Sequence, residues 1–354
     1  MTDGLQMEKR YSLDMTEGPF LKKILLFSVP LMLTGLLQLA YNSADVIVVG
    51  RFVGSEALAA VGSTGSLVNL FLNVFLGLSM GSGVMVARHI GERDEKKIHE
   101  CVHTAMLMSV LCGLFIGTVG FFASSFMLKL MDVPDDVIDL AALYLKIYFL
   151  GSPGLLAYNF GASIIRATGD TKRPLYILTL SGIVNVILNL VLIIVFKMGV
   201  SGVAIATIVS QYLSAVLIVI YLTRMPNSCR LAFGKLKICK KELKSIIRLG
   251  LPAGVQNSLF SVSNVIIQST VNSFGSVAMA GIAAGSNFDS YVYTCTNAVA
   301  QTTMNFTSQN MGAKKYNNIG KEKRLTVRSA VKRGEISSRN RCCCIRSHRC
   351  HRSS

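Results

Sequence analysis

The chain has no tryptophan, only seven prolines in 354 residues, and only 16% charged residues. Soluble domains carry roughly a quarter charged residues. Together with 51% hydrophobic residues and a mean hydropathy of +0.49, that deficit excludes an ordinary soluble enzyme, a disordered chain and a coiled coil. No G-x-x-x-x-G-K-[ST] loop is present, which argues against direct ATP drive. No Ser-His-Asp or metal-hydrolase constellation is present either, so neither enzymatic activity nor a cofactor is expected. Five of the nine cysteines (Cys101, Cys112, Cys229, Cys239 and Cys295) are scattered without framework spacing and imply no disulfide set.

What the chain does have is long apolar runs. About 20 residues of helix cross a hydrocarbon core, and eight segments qualify: about 22–50, 57–87, 101–128, 137–165, 174–196, 199–223, 246–274 and 277–306. The first is too long for a signal-peptide core and lacks a small-residue cleavage site. Basic residues then set the orientation. Nineteen Lys and Arg fall on the N-terminal segment and on alternate connections, against about four on the others, which places the N-terminus in the cytoplasm of a multi-pass cell-membrane protein. The net charge of +17 is split between +9 in residues 321–354 and +8 in the rest. Basic cytoplasmic loops account for the latter, so no nucleic-acid partner is expected; the bilayer is the surrounding partner, and a monomer is expected.

The chain also repeats itself at an offset of 221–222 residues. Ile24–Pro30 faces Ile246–Pro252, Gly54-Ser-Glu-Ala57 faces Gly275-Ser-Val-Ala278, and His89-Ile-Gly91 faces Asn310-Met-Gly312. Both copies begin on the same side, which makes them parallel repeats. The predicted fold is an all-α polytopic membrane protein of parallel six-helix repeats. Its expected organisation is a cytoplasmic segment (1–21), a complete six-helix lobe (22–223), a basic cytoplasmic linker (224–245), the first two helices of a second lobe (246–320) and a basic Cys/His-rich tail (321–354). A full second copy would end near residue 444, so about ninety residues and four helices are expected to be missing. The tail, with Cys342, Cys343, Cys344, His348, Cys350 and His351, invites a zinc reading. Three adjacent cysteines cannot all reach one ion, so no metal site is expected there and the tail is read as aberrant.

Ionisable groups inside spans cost about 2.5–3.5 kcal/mol on insertion scales and mark functional sites. Asp45 lies in the first span and Asp289 in the eighth. Tyr41 and Gln38 precede Asp45 at helical spacings that share its face. Asn185 and Asn189 are likewise one turn apart in the fifth span, and Asn159 and Thr207 are polar positions in the fourth and sixth. A shared cavity in the first lobe is the functional reading of this cluster; hydrogen bonding between helices is the alternative. The positions facing Asp45 in the second copy are Ile266 or Ile267, so a site on Asp45 belongs to the first lobe alone.

Several motifs, taken in order, resemble the multidrug and toxic compound extrusion (MATE) family of secondary transporters. They are Tyr41-Asn-Ser-Ala-Asp45-x4-Gly50-Arg-x2-Gly54, Arg166-Ala-Thr-Gly169-Asp-Thr-Lys-Arg-Pro174, Asn185-Val-Ile-Leu-Asn189, Gly199-Val-Ser-Gly202-Val-Ala204 and Gln309-Asn-Met-Gly312-Ala-Lys. The resemblance implies two six-helix lobes forming an outward-open V, and export of small organic cations or drugs by antiport, with H+ the expected coupling ion and Na+ the alternative. It also implies that Asp45 is the cation-coupling residue, with Tyr41, Asn159 and Asn185 around it. Asn189 stands where proton-coupled relatives have a second Asp. The seventh-span region around Gln256 lacks the Glu of sodium-coupled relatives. Two other readings stay open: a lipid-linked oligosaccharide flippase of the wider superfamily, and a non-functional transporter fragment.

Overall fold

The computed structural model describes residues 15–17, 20–130, 135–272 and 276–319; the side chains of 20–21, 55–56, 58–59, 62–63, 66–67, 70, 130, 135–136, 260 and 264–289 and the tail from 320 lie outside the described residues. Among the described residues the architecture is helical throughout. The helices are α1 (Phe20–Phe52), α2 (Ser55–Glu92), α3 (Glu95–Leu130), α4 (Asp135–Leu150), α5 (Ser152–Ala167), α6 (Lys172–Leu190), α7 (Gly199–Thr223), α8 (Lys240–Asn272) and α9 (Ser276–Gly312). A π-helical turn, Val191–Val195, extends α6, and a short 3-10 turn, Phe233–Lys235, interrupts the linker.

The eight expected spans correspond to these helices, with two differences. The fourth span is a pair, α4 and α5, bent by 46°. Pro153 has no N–H to continue the ladder, and Ser152 Oγ anchors the corner by donating to the carbonyls of Phe149 (2.6 Å) and Gly113 (3.0 Å). The second difference is polarity. Among the described residues, five helices and the bent pair are long and apolar enough to cross a membrane, and α8 and α9, whose stretch 264–289 is not described, are not among them. The exposed Gln256, Ser263, Thr296 and Asn297 show why. Elsewhere the outward faces carry large apolar residues such as Phe122, Phe126 and Val195, as lipid contact requires.

The core of the first lobe is built from α2 to α7: Val86, Cys101, Val102, Leu145, Phe149, Leu156, Phe160, Ile164, Ile218 and Leu222 are buried together. The most extensive helix pairing, however, joins the two copies, α2 against α8. Gly77 and Gly81 of α2 meet Gly254 and Gly250 of α8 backbone to backbone: a Cβ at Gly81 would stand 2.8 Å from Gly250 Cα, and one at Gly250 would stand 2.6 Å from Leu78 Cα. Small residues four apart on both helices allow this close approach. Asn73 Nδ2, donating to Ser261 Oγ at 3.1 Å, continues the same seam. The partner seam joins α9 to α1 through Ser28 Oγ and Thr302 Oγ1, 2.9 Å apart, and through Gly35 against Thr294.

The repeat is visible in backbone conformation. Arg93 (φ 56°) and Lys314 (φ 57°), 221 residues apart, both terminate their helix in the left-handed region. The glycines near these ends allow a close crossing: Gly91 lies on the Gln309 carbonyl and Gly312 on the Arg88 carbonyl, so α2 and α9 cross in contact. These ends, the starts of α1, α3, α6 and α8 and the ends of α5 and α7 share one basic end of the bundle. There Asp170 caps α6 by accepting the N–H groups of Lys172 (3.1 Å) and Arg173 (3.2 Å), while burial pushes its carboxyl above the usual carboxylate range. The linker is strapped to α3: His103 bonds through Nε2 with the backbone of Ala232, and Thr104 Oγ1 accepts the Cys239 N–H at 3.0 Å.

Candidate functional site

Towards the opposite end of the bundle, α1 and α6 bring four of the sequence-predicted residues together. Asp45 Oδ1 accepts from Asn189 Nδ2 at 2.5 Å, and the same amide nitrogen lies 3.4 Å from Asn185 Oδ1. Asn185 and Asn189 are buried, at 5% and 1% exposure. Their one-turn spacing stacks both amides on the α6 face that meets α1. An ionised carboxylate only accepts hydrogen bonds, so it dictates the orientation of the Asn189 amide. That leaves Asn189 Oδ1 buried, with no hydrogen-bond partner among the described residues. Tyr41, one turn before Asp45, lays its ring on Gly182 of α6, and its hydroxyl donates to the Thr179 carbonyl at 3.2 Å. Gly182 is what admits the ring, because any Cβ there would overlap it.

The other sequence-predicted positions stand apart from this hydrogen-bond network. Asn159 Nδ2 donates to the Leu155 carbonyl (2.8 Å) and Thr207 Oγ1 to the Val203 carbonyl (2.9 Å), each within its own helix. Gln38 is exposed on α1 and Gln256 is exposed on α8. Asp289 belongs to α9, but its side chain lies outside the described residues.

Two residues that the sequence reading passed over complete the surroundings. Tyr144 and Tyr148 of α4 stand near Asp45, their rings stacked at 6.0 Å with 27° between planes. Tyr144 packs with Val48, Val49, Ile193, Val200, Val203 and Ala204, so the wall near Asp45 is aromatic and apolar. Their i, i+4 spacing within an apolar run was the available signal. A lone carboxylate among tyrosines and amides suits a small cation: charge supplies attraction, and aromatic faces supply both apolar contact and cation–π stabilisation. Among the described residues no group of His, Cys, Asp and Glu could hold a metal ion.

A polytopic helical chain with parallel repeats and an intramembrane carboxylate in one repeat has the build of a secondary transporter. The MatE family model matches residues 30–191 and 252–331, more than half of the chain, and the chain belongs to that family. It is 31% identical over 313 residues to the probable multidrug resistance protein YpnP of Bacillus subtilis strain 168, a match covering 88% of this chain and 68% of that protein. It is also 31% identical over 303 residues to the probable multidrug resistance protein YoeA of the same organism, covering 83% and 65%. The chain thus spans about two thirds of the length of both relatives. Among solved structures, an outward-facing conformation of a multidrug resistance MATE family transporter of the MOP superfamily superposes with a TM-score of 0.83 at 23% identity, over 90% of this chain and 71% of that one. That likeness bears on the fold.

Proposed function

We propose that the chain is part of a multidrug exporter that moves small organic cations out of the cell by antiport, with H+ as the coupling ion. The observation that carries this reading is the contact between Asp45 and Asn189, a single carboxylate held between α1 and α6 inside the first lobe. Supporting it are the family membership, the tyrosines near the carboxylate and the names of the relatives. The ionised carboxylate holds a cationic drug and accepts the Asn189 amide. A proton arriving from outside neutralises Asp45 and removes the charge that holds the drug, which leaves outward. The neutral acid then returns inward as the lobes rock, gives up its proton and binds again. Proton and drug each move the equilibrium only by their differential affinity for its two states. No cofactor takes part. The basic end faces the cytoplasm of the cell membrane, in keeping with its excess of Lys and Arg, and a monomer is sufficient.

The test is transport by the purified chain in proteoliposomes carrying a fluorescent organic cation. A pH gradient alone should drive accumulation, a sodium gradient alone should not, and Asp45→Asn should allow only equilibration. Accumulation against the gradient by Asp45→Asn sinks the proposal; drive by sodium alone sinks its choice of ion.

A further inference from the structure

The α2–α8 seam ends at the basic end in an ionisable cluster outside the drug site. The contacts climb α2 and descend α8 in register: Gly77 with Gly254, Gly81 with Gly250, and then, two turns on, His89 with Glu242. His89 Nε2 lies 3.0 Å from Glu242 Oε2, and its Nδ1 lies 3.0 Å from Glu92 Oε2. His89 is 5% exposed and Glu242 7%. The other groups facing this cluster are few. Arg88 Nε meets Glu92 at 3.1 Å, and Lys97 Nζ meets Glu92 at 3.5 Å and Asp94 at 3.0 Å. From α3 the buried Cys101 thiol stands near Glu242. From α9, which crosses α2 here, come the uncharged Gln309 and Asn310.

Carboxylates accept hydrogen bonds and do not donate them, whereas neutral imidazole has one donor and one acceptor nitrogen. With a carboxylate on each nitrogen, the closed geometry is fully satisfied only when it holds one proton beyond the neutral ring. The repeat supplies an internal control. Position 310, equivalent to His89, is Asn, and it donates to the Met15 carbonyl at 3.1 Å, while Gln309 accepts the Met15 N–H at 3.3 Å. Both copies therefore clamp the end of their second helix onto the entry to the other copy's first. One clamp is made of amides that do not titrate; the other is made of His and Glu.

We propose that the Glu92–His89–Glu242 contact is a proton-dependent latch between the two copies, which holds the basic end closed when His89 is protonated and releases it as pH rises on that side. It acts on α8 against α2 and does not require Asp45.

Hydrogen–deuterium exchange of the whole chain in lipid nanodiscs, corrected for the intrinsic pH dependence, tests this through peptides covering 86–97 and 238–250. Across about pH 5 to 8.5, where histidine titrates, wild-type protection of both should fall, by at most about tenfold per pH unit for one proton. Residues 306–315 at the amide clamp should hold theirs. Glu242→Gln should stay protected throughout, because neutral His89 can donate to Glu92 and accept from the new amide. His89→Lys, permanently charged, should do the same, and His89→Gln should lose the pH dependence. Asp45→Asn should keep the wild-type profile, which separates the latch from drug coupling. Uniform protection in the wild type, or a pH dependence that survives in His89→Gln and Glu242→Gln, overturns the proposal.

Discussion

The glycine seam between α2 and α8 makes a sharp prediction. At Gly81 an alanine methyl would stand 2.8 Å from Gly250 Cα, Gly250 N and the Ile246 carbonyl oxygen, against the 3.4 Å at which ordinary contact begins. All three atoms are helical backbone, so no side chain can swing away and the two helices must part by about 0.6 Å or more. Separation on that scale forfeits a quarter or more of each dispersion contact along the seam, and overpacking of this kind costs about 1–3 kcal/mol. The same substitution also gains helix propensity, up to about 1 kcal/mol. Gly65 isolates that gain, since it lies on the same helix and a Cβ there meets nothing within 4 Å among the described residues. Gly65→Ala is therefore expected to hold or raise the apparent melting temperature in detergent. Gly81→Ala should fall below Gly65→Ala by roughly 2–6 °C on the usual scaling for a chain of this size. Loss of helical circular dichroism on heating, with retention of a monodisperse peak on size exclusion, is the assay. If Gly81→Ala melts with or above Gly65→Ala, the seam is not the close backbone contact argued for.

The remaining predictions concern the site and the linker. Gly182→Ala should displace the Tyr41 ring and break its bond to the Thr179 carbonyl, lowering affinity for a fluorescent organic cation by about tenfold, the equivalent of roughly 1.4 kcal/mol. Tyr41→Phe, which keeps the ring, should lose less, and an unchanged dissociation constant for Gly182→Ala would remove Tyr41 from the site. Burial pushes the Cys229 thiol from its ordinary 9.0 up to about 12, so folding favours the protonated form. That contribution to stability is complete below about pH 9 and is lost as pH rises towards 12. Alkylation mapped by peptide mass should leave Cys229 unmodified at pH 8 in the folded chain and label it in denaturant; rapid labelling of the folded chain would refute its burial.

The sequence resolved the spans well because the signal for a membrane helix is coarse: some twenty apolar residues between basic loops. It resolved the pairing of Asp45 with α6 because an acid and two amides one turn apart are conspicuous in apolar surroundings. It could not show that Asn159 and Thr207 bond within their own helices and not to Asp45, because a polar residue in a helix can satisfy itself on the carbonyl four residues back, and composition does not show which choice it makes. Tyr144 and Tyr148 were passed over, since their i, i+4 spacing in an apolar run does not by itself tell a pair near an acid from a pair facing lipid. The bend at Gly151-Ser152-Pro153 was equally hidden. A proline near a helix start is unremarkable, and only the tertiary bond from Ser152 to the Gly113 carbonyl turns it into a corner.

The two seams show why duplication is easier to read than what it does. Thr302 and Ser28 stand at positions equivalent to Gly81 and Gly250, and each pair brings two helices close. One pair does so with a hydrogen bond between hydroxyls and the other with bare backbone. Opening the basic end exposes glycine backbone whose polar groups are already bonded within their own helices, so what is lost along that stretch is mainly dispersion. The polar rungs differ, because each must exchange a protein partner for water, a small net change per neutral bond but a larger one where a charge is involved. The balance between closed and open is therefore set less by the long glycine seam than by the contacts at its end: His89 with Glu242, Gln309 with the Ala167 carbonyl, and Asn310 with Met15. Of these, the contact between His89 and Glu242 is the one whose strength a proton can change. On the two proposals made above, Asp45 in one copy and the titratable clamp between the two copies answer to protons at opposite ends of the bundle, through separate residues and with separable tests.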